Sequence, residues 1–205
     1  MSASAHKLHF ITPAEFLKGE ELAELRHEYI HGQVQAMSGA SDRHNEIALD
    51  VASLIKSGLK GGPCKTYLLD MKLELKPEGK TFYYYPDVFV TCDKADAESP
   101  LIKRNPVLVV EVLSPSTWRV DLGEKLHNYQ SLSGLSEIVF IAQDWPELII
   151  HRRSNQWQPE SYTSSNDTIR LESIAIELPL AVIYASVQFD GNETRPWYLL
   201  KPRVD

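Results

Sequence analysis

The run Val107-Leu108-Val109-Val110-Glu111-Val112-Leu113 constrains the fold of this chain more than any other stretch. Its apolar residues do not alternate with polar ones, which describes a strand covered on both faces, as strands central to an α/β sheet are. Glu111 interrupts it. An ionised carboxylate in such a place costs on the order of several kcal/mol unless it is paired or coordinated, so it asks for a cation. Ser114-Pro115 ends the strand and puts Glu111 near its carboxyl end, where ligands of open α/β sheets collect.

A second carboxylate repeats the pattern. Asp87 follows Pro86 and leads directly into Val88, Phe89 and Val90. Two carboxylates on neighbouring strands can share one hard cation, and Mg²⁺ takes one or two carboxylates while keeping waters and phosphate oxygens as its other ligands. The pair therefore suits phosphodiester chemistry. The other reading is an internal salt bridge with Lys125 or an arginine and no catalysis.

Around these strands the pattern is mixed. Residues 13–26 form a short helical pattern, opened by Thr12 and Pro13 and interrupted by Gly19. EYIHGQVQAM alternates about His31-Gly32 as a β-hairpin. From Ser41 or Asp42, Ile47, Ala48, Val51, Leu54, Ile55 and Leu59 mark an amphipathic helix stopped by Gly61 and Gly62. TYLLDMKLEL, YYYPDVFV and PVLVVEVL then read as three strands in succession, DLGEKLHNYQSL as a helix with Leu122, Leu126 and Tyr129 on one stripe, and EIVFIAQ as another strand. Beyond Pro146 the segments alternate like meandering antiparallel strands.

Acidic residues outnumber basic ones 28 to 21, for a net charge of −7, so any contact with nucleic acid must be local. Candidate patches are Lys103 with Arg104, Arg152 with Arg153, and Lys56, Lys60 and Lys65; such charges equally form a solvated surface. No stretch approaches the roughly 20 apolar residues of a membrane span, and the first residues lack the order of a signal peptide, which predicts a cytoplasmic protein. Cys64 and Cys92 stand far apart without metal-type spacing, and read as two small apolar residues rather than a disulfide framework.

The segments YYYPDVFV, PVLVVEVLSPSTWRVDLGEKLHNY and EYIHGQVQAMSGASDRHNEIALDV resemble the Uma-two family, a branch of the PD-(D/E)XK nuclease superfamily, over about residues 12–184. At 205 residues the chain fits one domain, 1–205, and the resemblance implies for it a restriction-endonuclease-like α/β core of mixed sheet flanked by helices. An N-terminal helix and hairpin would precede this core and an antiparallel extension follow it. It also implies Mg²⁺ or Mn²⁺ at Asp87 and Glu111, and hydrolysis of the DNA backbone.

One departure matters: Leu113 stands where the superfamily pattern has a lysine two residues after the second acid. The nearest replacement is Lys125, flanked on its helix by Leu122 and Tyr129, which would position the attacking water or stabilise the phosphate. Alternatively Lys125 is a surface residue paired with Asp121 at i−4. Glu28 and His44 match family positions and would orient water, although His44 also suits a capping role. Asp70 alternates with Leu68 and Lys72 as a third polar group or a strand-edge charge.

Two rival functions remain at this point. His27 to His31 spell HEYIH, formally a zinc-peptidase motif, but in a hairpin the two histidines would not lie one helical turn apart. Leu113 and the acidic balance also suit a nuclease fold that has lost catalysis and binds nucleic acid or a partner protein. Duplex cleavage by one site per chain would call for a homodimer.

Overall fold

The computed structural model of the chain describes residues 10–189 and 194–196. Thr12 and Glu15 form a reciprocal capping box that starts α1 (Pro13–Glu20), with Pro13 in the first turn, where a missing N–H is no loss. The expected continuation to Arg26 does not occur. After Gly19 the chain turns, and the Glu20 carboxylate accepts from the His27 backbone N–H and the Tyr85 hydroxyl, so Leu22 and Leu25 stay exposed.

The hairpin of β1 (His27–Ile30) and β2 (Gln33–Ala36) turns through His31 (φ 41°) and Gly32 (φ 97°), both left-handed as a tight two-residue turn requires. A Cβ on Gly32 would be strained at this φ and would lie 2.2 Å from the Phe10 ring, so a larger residue there has to displace Phe10. Ser41 caps α2 (Asp42–Gly58), accepting from the His44 N–H, and the helix buries Ile47, Ala48, Val51, Ala52 and Ile55. Four of these, Ile47, Ala48, Val51 and Ile55, are on the stripe the sequence spacing predicted, while Leu54 and Leu59 pack only partly buried and Ala52 joins the buried set.

Next come β3 (Lys65–Leu68), β4 (Lys72–Leu75), β5 (Phe82–Tyr84), β6 (Val88–Thr91), α3 (Lys94–Glu98), β7 (Ile102–Lys103) and β8 (Pro106–Leu113). A helical segment follows: α4 (Trp118–Val120), a π-helical turn (Asp121–Lys125) and α5 (Leu126–Gln130). The chain continues through β9 (Glu137–Ala142), β10 (Leu148–Arg152), β11 (Pro159–Tyr162), β12 (Thr168–Leu171), β13 (Ile176–Pro179) and α6 (Leu180–Ile183).

These strands build a six-stranded sheet, β11-β10-β9-β8-β6-β3, a five-stranded sheet, β2-β1-β5-β4-β7, and the pair β12-β13. Both larger sheets are mixed: β8 runs parallel to β9 and β4 to β7, and the remaining pairs are antiparallel. Two expected strands are each divided between the sheets. TYLLDMKLEL breaks at Leu69 (φ 47°) into β3 and β4, and YYYPDVFV breaks at Pro86-Asp87 into β5 and β6. Proline cannot donate to a ladder, so a strand passing through Pro86 has to change neighbours there. The Leu69 N–H donates to the Asp87 carbonyl at 3.1 Å, tying both crossing points together where the sheets part.

The six-stranded sheet is covered on both faces. α2, α6 and the β12-β13 pair close one face over Val88, Val110, Val112, Val139 and Ile141; Tyr129, Leu135 and the five-stranded sheet close the other over Phe89, Val109, Leu113 and Phe140. Glu111 shares the second face with Val109 and Leu113, by the two-residue period of a strand.

The cysteines correct the sequence expectation. The β3–β6 register pairs Lys65 with Thr91, which brings Cys64 opposite Cys92, and the two are joined as a disulfide. Antiparallel pairing across 28 residues of sequence makes them neighbours, an adjacency that spacing does not reveal. Among the described residues no helix is long and apolar enough to cross a membrane.

Candidate active site

Asp87 and Glu111 arrive from adjacent antiparallel strands. Val88 pairs with Val110, so Asp87, one step before β6, stands opposite Glu111. The Val112 N–H donates to Asp87 Oδ2 at 2.7 Å, and the Asp87 N–H points to Glu111 Oε2 at 3.4 Å. His44, in the first turn of α2, brings Nε2 within 3.3 Å of Asp87 Oδ2, while its buried Nδ1 has no hydrogen-bond partner.

The helical segment supplies the rest. In its π-helical turn the wider spacing turns both Asp121 and Lys125 inward; such turns recur at functional sites. Lys125 Nζ lies 2.9 Å from Glu28 of β1, 3.2 Å from Asp121 and 3.4 Å from Glu111. One turn further, the Tyr129 hydroxyl donates to Glu111 Oε1 at 2.6 Å. Asp121, Lys125 and Tyr129 recur at i, i+4 and i+8, so one stripe of the helix faces the carboxylates.

Four carboxylates thus meet one ammonium and one imidazole. Burial pushes the Glu111 carboxyl up to about 8, opposed by Lys125 and reinforced by Asp87 and Asp121. Burial likewise raises Asp121 against the pull of Lys125. For Lys125 burial alone would favour the neutral amine, but Glu111, Glu28 and Asp121 outweigh it and hold the ammonium well above its ordinary value. Burial would also lower His44, yet the hydrogen bond and charge of Asp87 raise it. Tyr129 is raised well above the usual phenol, so it stays a neutral donor.

Glu28, His44, Asp70, Asp87, Glu111, Asp121 and Lys125 all line one cleft of about 880 Å³. Six converge at its floor. Asp70 does not: it sits at the rim, its side chain 75% exposed and 3.6 Å from Arg26, because the turn between β3 and β4 carries it outward. The readings of Lys125 as a partner of Asp121 and as a companion of Glu111 hold together, with one correction: it is buried, 8% exposed, rather than a surface residue. Leu113 is sealed in the apolar core. Tyr129 was legible as packing and as the last position of the D-x-x-x-K-x-x-x-Y helix, without a role at the site; its place one turn beyond Lys125 was the available signal.

The cleft also bears on a cation. Among the described residues no three His, Cys, Asp or Glu side chains are disposed as a ready-made cage, but Asp87 and Glu111 offer two carboxylates in a solvent-open cleft with excess negative charge. That donor set fits Mg²⁺ or Mn²⁺, which complete their shells with water and substrate oxygens. The zinc-peptidase reading fails. His27 and His31 lie on a strand and its turn, about 13 Å of extended chain apart, with His27 bound to Glu20 and His31 edge-on to Phe10 and stacked on Phe82.

A mixed-sheet α/β core flanked by helices is the restriction-endonuclease-like fold. The profile of the Uma2 family, described as "Putative restriction endonuclease", matches residues 13–182, and the chain belongs to that family. It is 34% identical over 181 residues to "Uncharacterized protein slr1290" of Synechocystis, covering 87% of this chain and 94% of that one. A second Synechocystis relative, "Uncharacterized protein sll1609", is 31% identical over 135 residues, covering 65% and 75%. In fold the chain is similar to the crystal structure of "a putative nuclease belonging to DUF820" from Anabaena variabilis. That match has a TM-score of 0.71 at 22% identity, covering 85% of this chain and 98% of that one.

Proposed function

We propose that the chain is a divalent-metal-dependent endonuclease hydrolysing phosphodiester bonds in DNA, with Asp87 and Glu111 as metal ligands and Lys125 as the essential cation. The observation that carries the reading is the crowding of Glu28, Glu111 and Asp121 around the single Lys125 ammonium at the base of the cleft, with Asp87 beside Glu111 and paired with His44. That arrangement carries more negative charge than the protein itself neutralises.

Bound Mg²⁺ or Mn²⁺ would polarise the scissile phosphate and make water a better nucleophile at neutral pH. Tyr129 orients Glu111 by donating to Oε1, and the Val112 N–H and His44 fix Asp87. Glu28 and Asp121 hold the Lys125 ammonium beside Glu111, where it can meet negative charge developing on the phosphate. Lys125 thereby fills the role that Leu113, two residues beyond Glu111, has no chemistry to fill.

The test is cleavage of plasmid and oligonucleotide DNA in Mg²⁺ and Mn²⁺ by the wild type, Glu111→Gln and Lys125→Met. Cleavage by the wild type, with Lys125→Met down about 10²-fold or more, supports the assignment. A Lys125→Met protein as active as wild type removes Lys125 from it, and absence of cleavage by folded wild type with either metal overturns the enzyme reading.

A further inference from the structure

We propose that the DNA drawn into this cleft is unpaired: a single strand, an end or a frayed junction rather than the interior of a duplex. This rests on the nuclease reading and adds the substrate class.

The chemical groups are recessed. Glu111 and Asp121 are each 3% exposed, at the floor of a cleft whose 880 Å³ falls in the range of small-ligand sites, about 300–1,000 Å³. A duplex is met by elements that project from a protein into a groove about 12 Å or 6 Å wide, and its phosphates lie on the outside. An unpaired strand is narrow and flexible enough to carry a phosphate down to that floor, which favours it over a strand held in a helix.

Charge argues the same way. Duplex binding depends on lysines and arginines ranged along the backbone, and the patches legible in the sequence do not supply them. Lys103 is buried against the Asp96 and Ser99 carbonyls, and Arg104 pairs with Glu74. Arg152 is held by Glu137 and Glu160, and Arg153 by the Leu132 and Leu135 carbonyls. Lys56 lies toward the far end of α2, about 20 Å of helix from the cleft at 1.5 Å per residue. Glu24 and Asp70 add acid at the rim beside Arg26. A single strand has the weaker polyelectrolyte field and is the more tolerable polyanion here.

The lip completes the case. Leu25, 65% exposed, Met37 and Pro115 line the mouth together with Gln35 and Asn45. Apolar surface interspersed with amides suits the faces and edges of unstacked bases, which a duplex hides and a single strand presents. A substrate taken one strand at a time also removes the need for a second chain to complete a duplex cut.

The experiment measures anisotropy of labelled oligodeoxythymidine and of a hairpin-capped duplex with the full-length protein in Ca²⁺, and cleavage of both in Mn²⁺. We expect single-strand affinity at least about tenfold higher, weakened several-fold by Leu25→Asp at unchanged Tm, as loss of base contacts implies. The salt slope, log Kd against log salt, should be about 2 or less, as few phosphate contacts imply. Equal or tighter binding and cutting of the capped duplex overturns the inference and leaves the nuclease reading standing. Failure to bind either DNA overturns it as well. Single-strand binding without cleavage supports the inference and removes the catalytic reading instead.

Discussion

Glu137 and Glu111 lie on adjacent parallel strands of the six-stranded sheet, 1% and 3% exposed, the first opening an apolar run and the second interrupting one. Glu137 has its own donors: Arg152 Nε, the N–H groups of Glu172 and Ser173, and the Ser173 hydroxyl. Glu111 has the Tyr129 hydroxyl, a long contact from the Asp87 N–H, and a share of one ammonium that Glu28 and Asp121 also claim. The difference separates two uses of a buried acid. A carboxylate with a full complement of donors fastens the fold, here β9 and β10 to the turn after β12. A carboxylate that shares its counter-charge with other acids leaves charge to be met from outside.

The largest expected effect follows from this contrast. Glu111→Gln should reduce divalent-dependent cleavage by about 10²–10³-fold or more while Tm holds or rises, because the amide still accepts from Tyr129 and relieves the crowding. Glu137→Ala should do the reverse. It leaves Arg152 with Glu160 and the Arg170 carbonyl but takes the acceptor from the Glu172 and Ser173 N–H groups, and should cost about 1–3 kcal/mol of stability, read by denaturant unfolding, with activity per folded molecule retained. If the two variants behave alike in both assays, the distinction is wrong.

A subtler effect lies in pH. The folded pKa of Glu111 is raised to about 8 from 4.5, so its favourable contribution is complete below about 4.5 and is lost as pH climbs toward 8. His44, also raised, acts in the same direction above its unfolded value near 6.5. Metal-free protein should therefore lose Tm between about pH 5 and 8, and added Mn²⁺ should restore more Tm at the upper end, where Glu111 can ionise at less cost. Glu111→Gln should flatten the profile, whereas Glu137→Gln should lower it without changing its slope.

The same two glutamates mark how far the sequence carries. Glu111 and Asp87 stand out because the apolar run and the PD step are local, and α2, the hairpin and β8 follow from period and turn chemistry that are also local. Glu137, which opens EIVFIA after Ser136, gives no such signal, and only the register of β9, β10 and the turn after β12 shows that it too is a buried acid and has its own partners. The division of two expected strands between sheets, the exposure of Leu25 and the joining of Cys64 to Cys92 are likewise decided by contacts distant in sequence. Tyr129 was in view as one more apolar position, since a helical stripe looks the same whether it meets a core or a carboxylate.

The central claim is that Asp87 and Glu111 hold a divalent cation. Crystals of the full chain grown with Mn²⁺, recorded at the manganese absorption edge, test it without reference to activity. The account predicts an anomalous peak in contact with both carboxylates that disappears in Glu111→Gln and persists in Glu137→Gln. A cleft without such a peak under saturating Mn²⁺, with Lys125 still shared among Glu28, Asp121 and Glu111, would contradict it and make the cluster a structural ion pair.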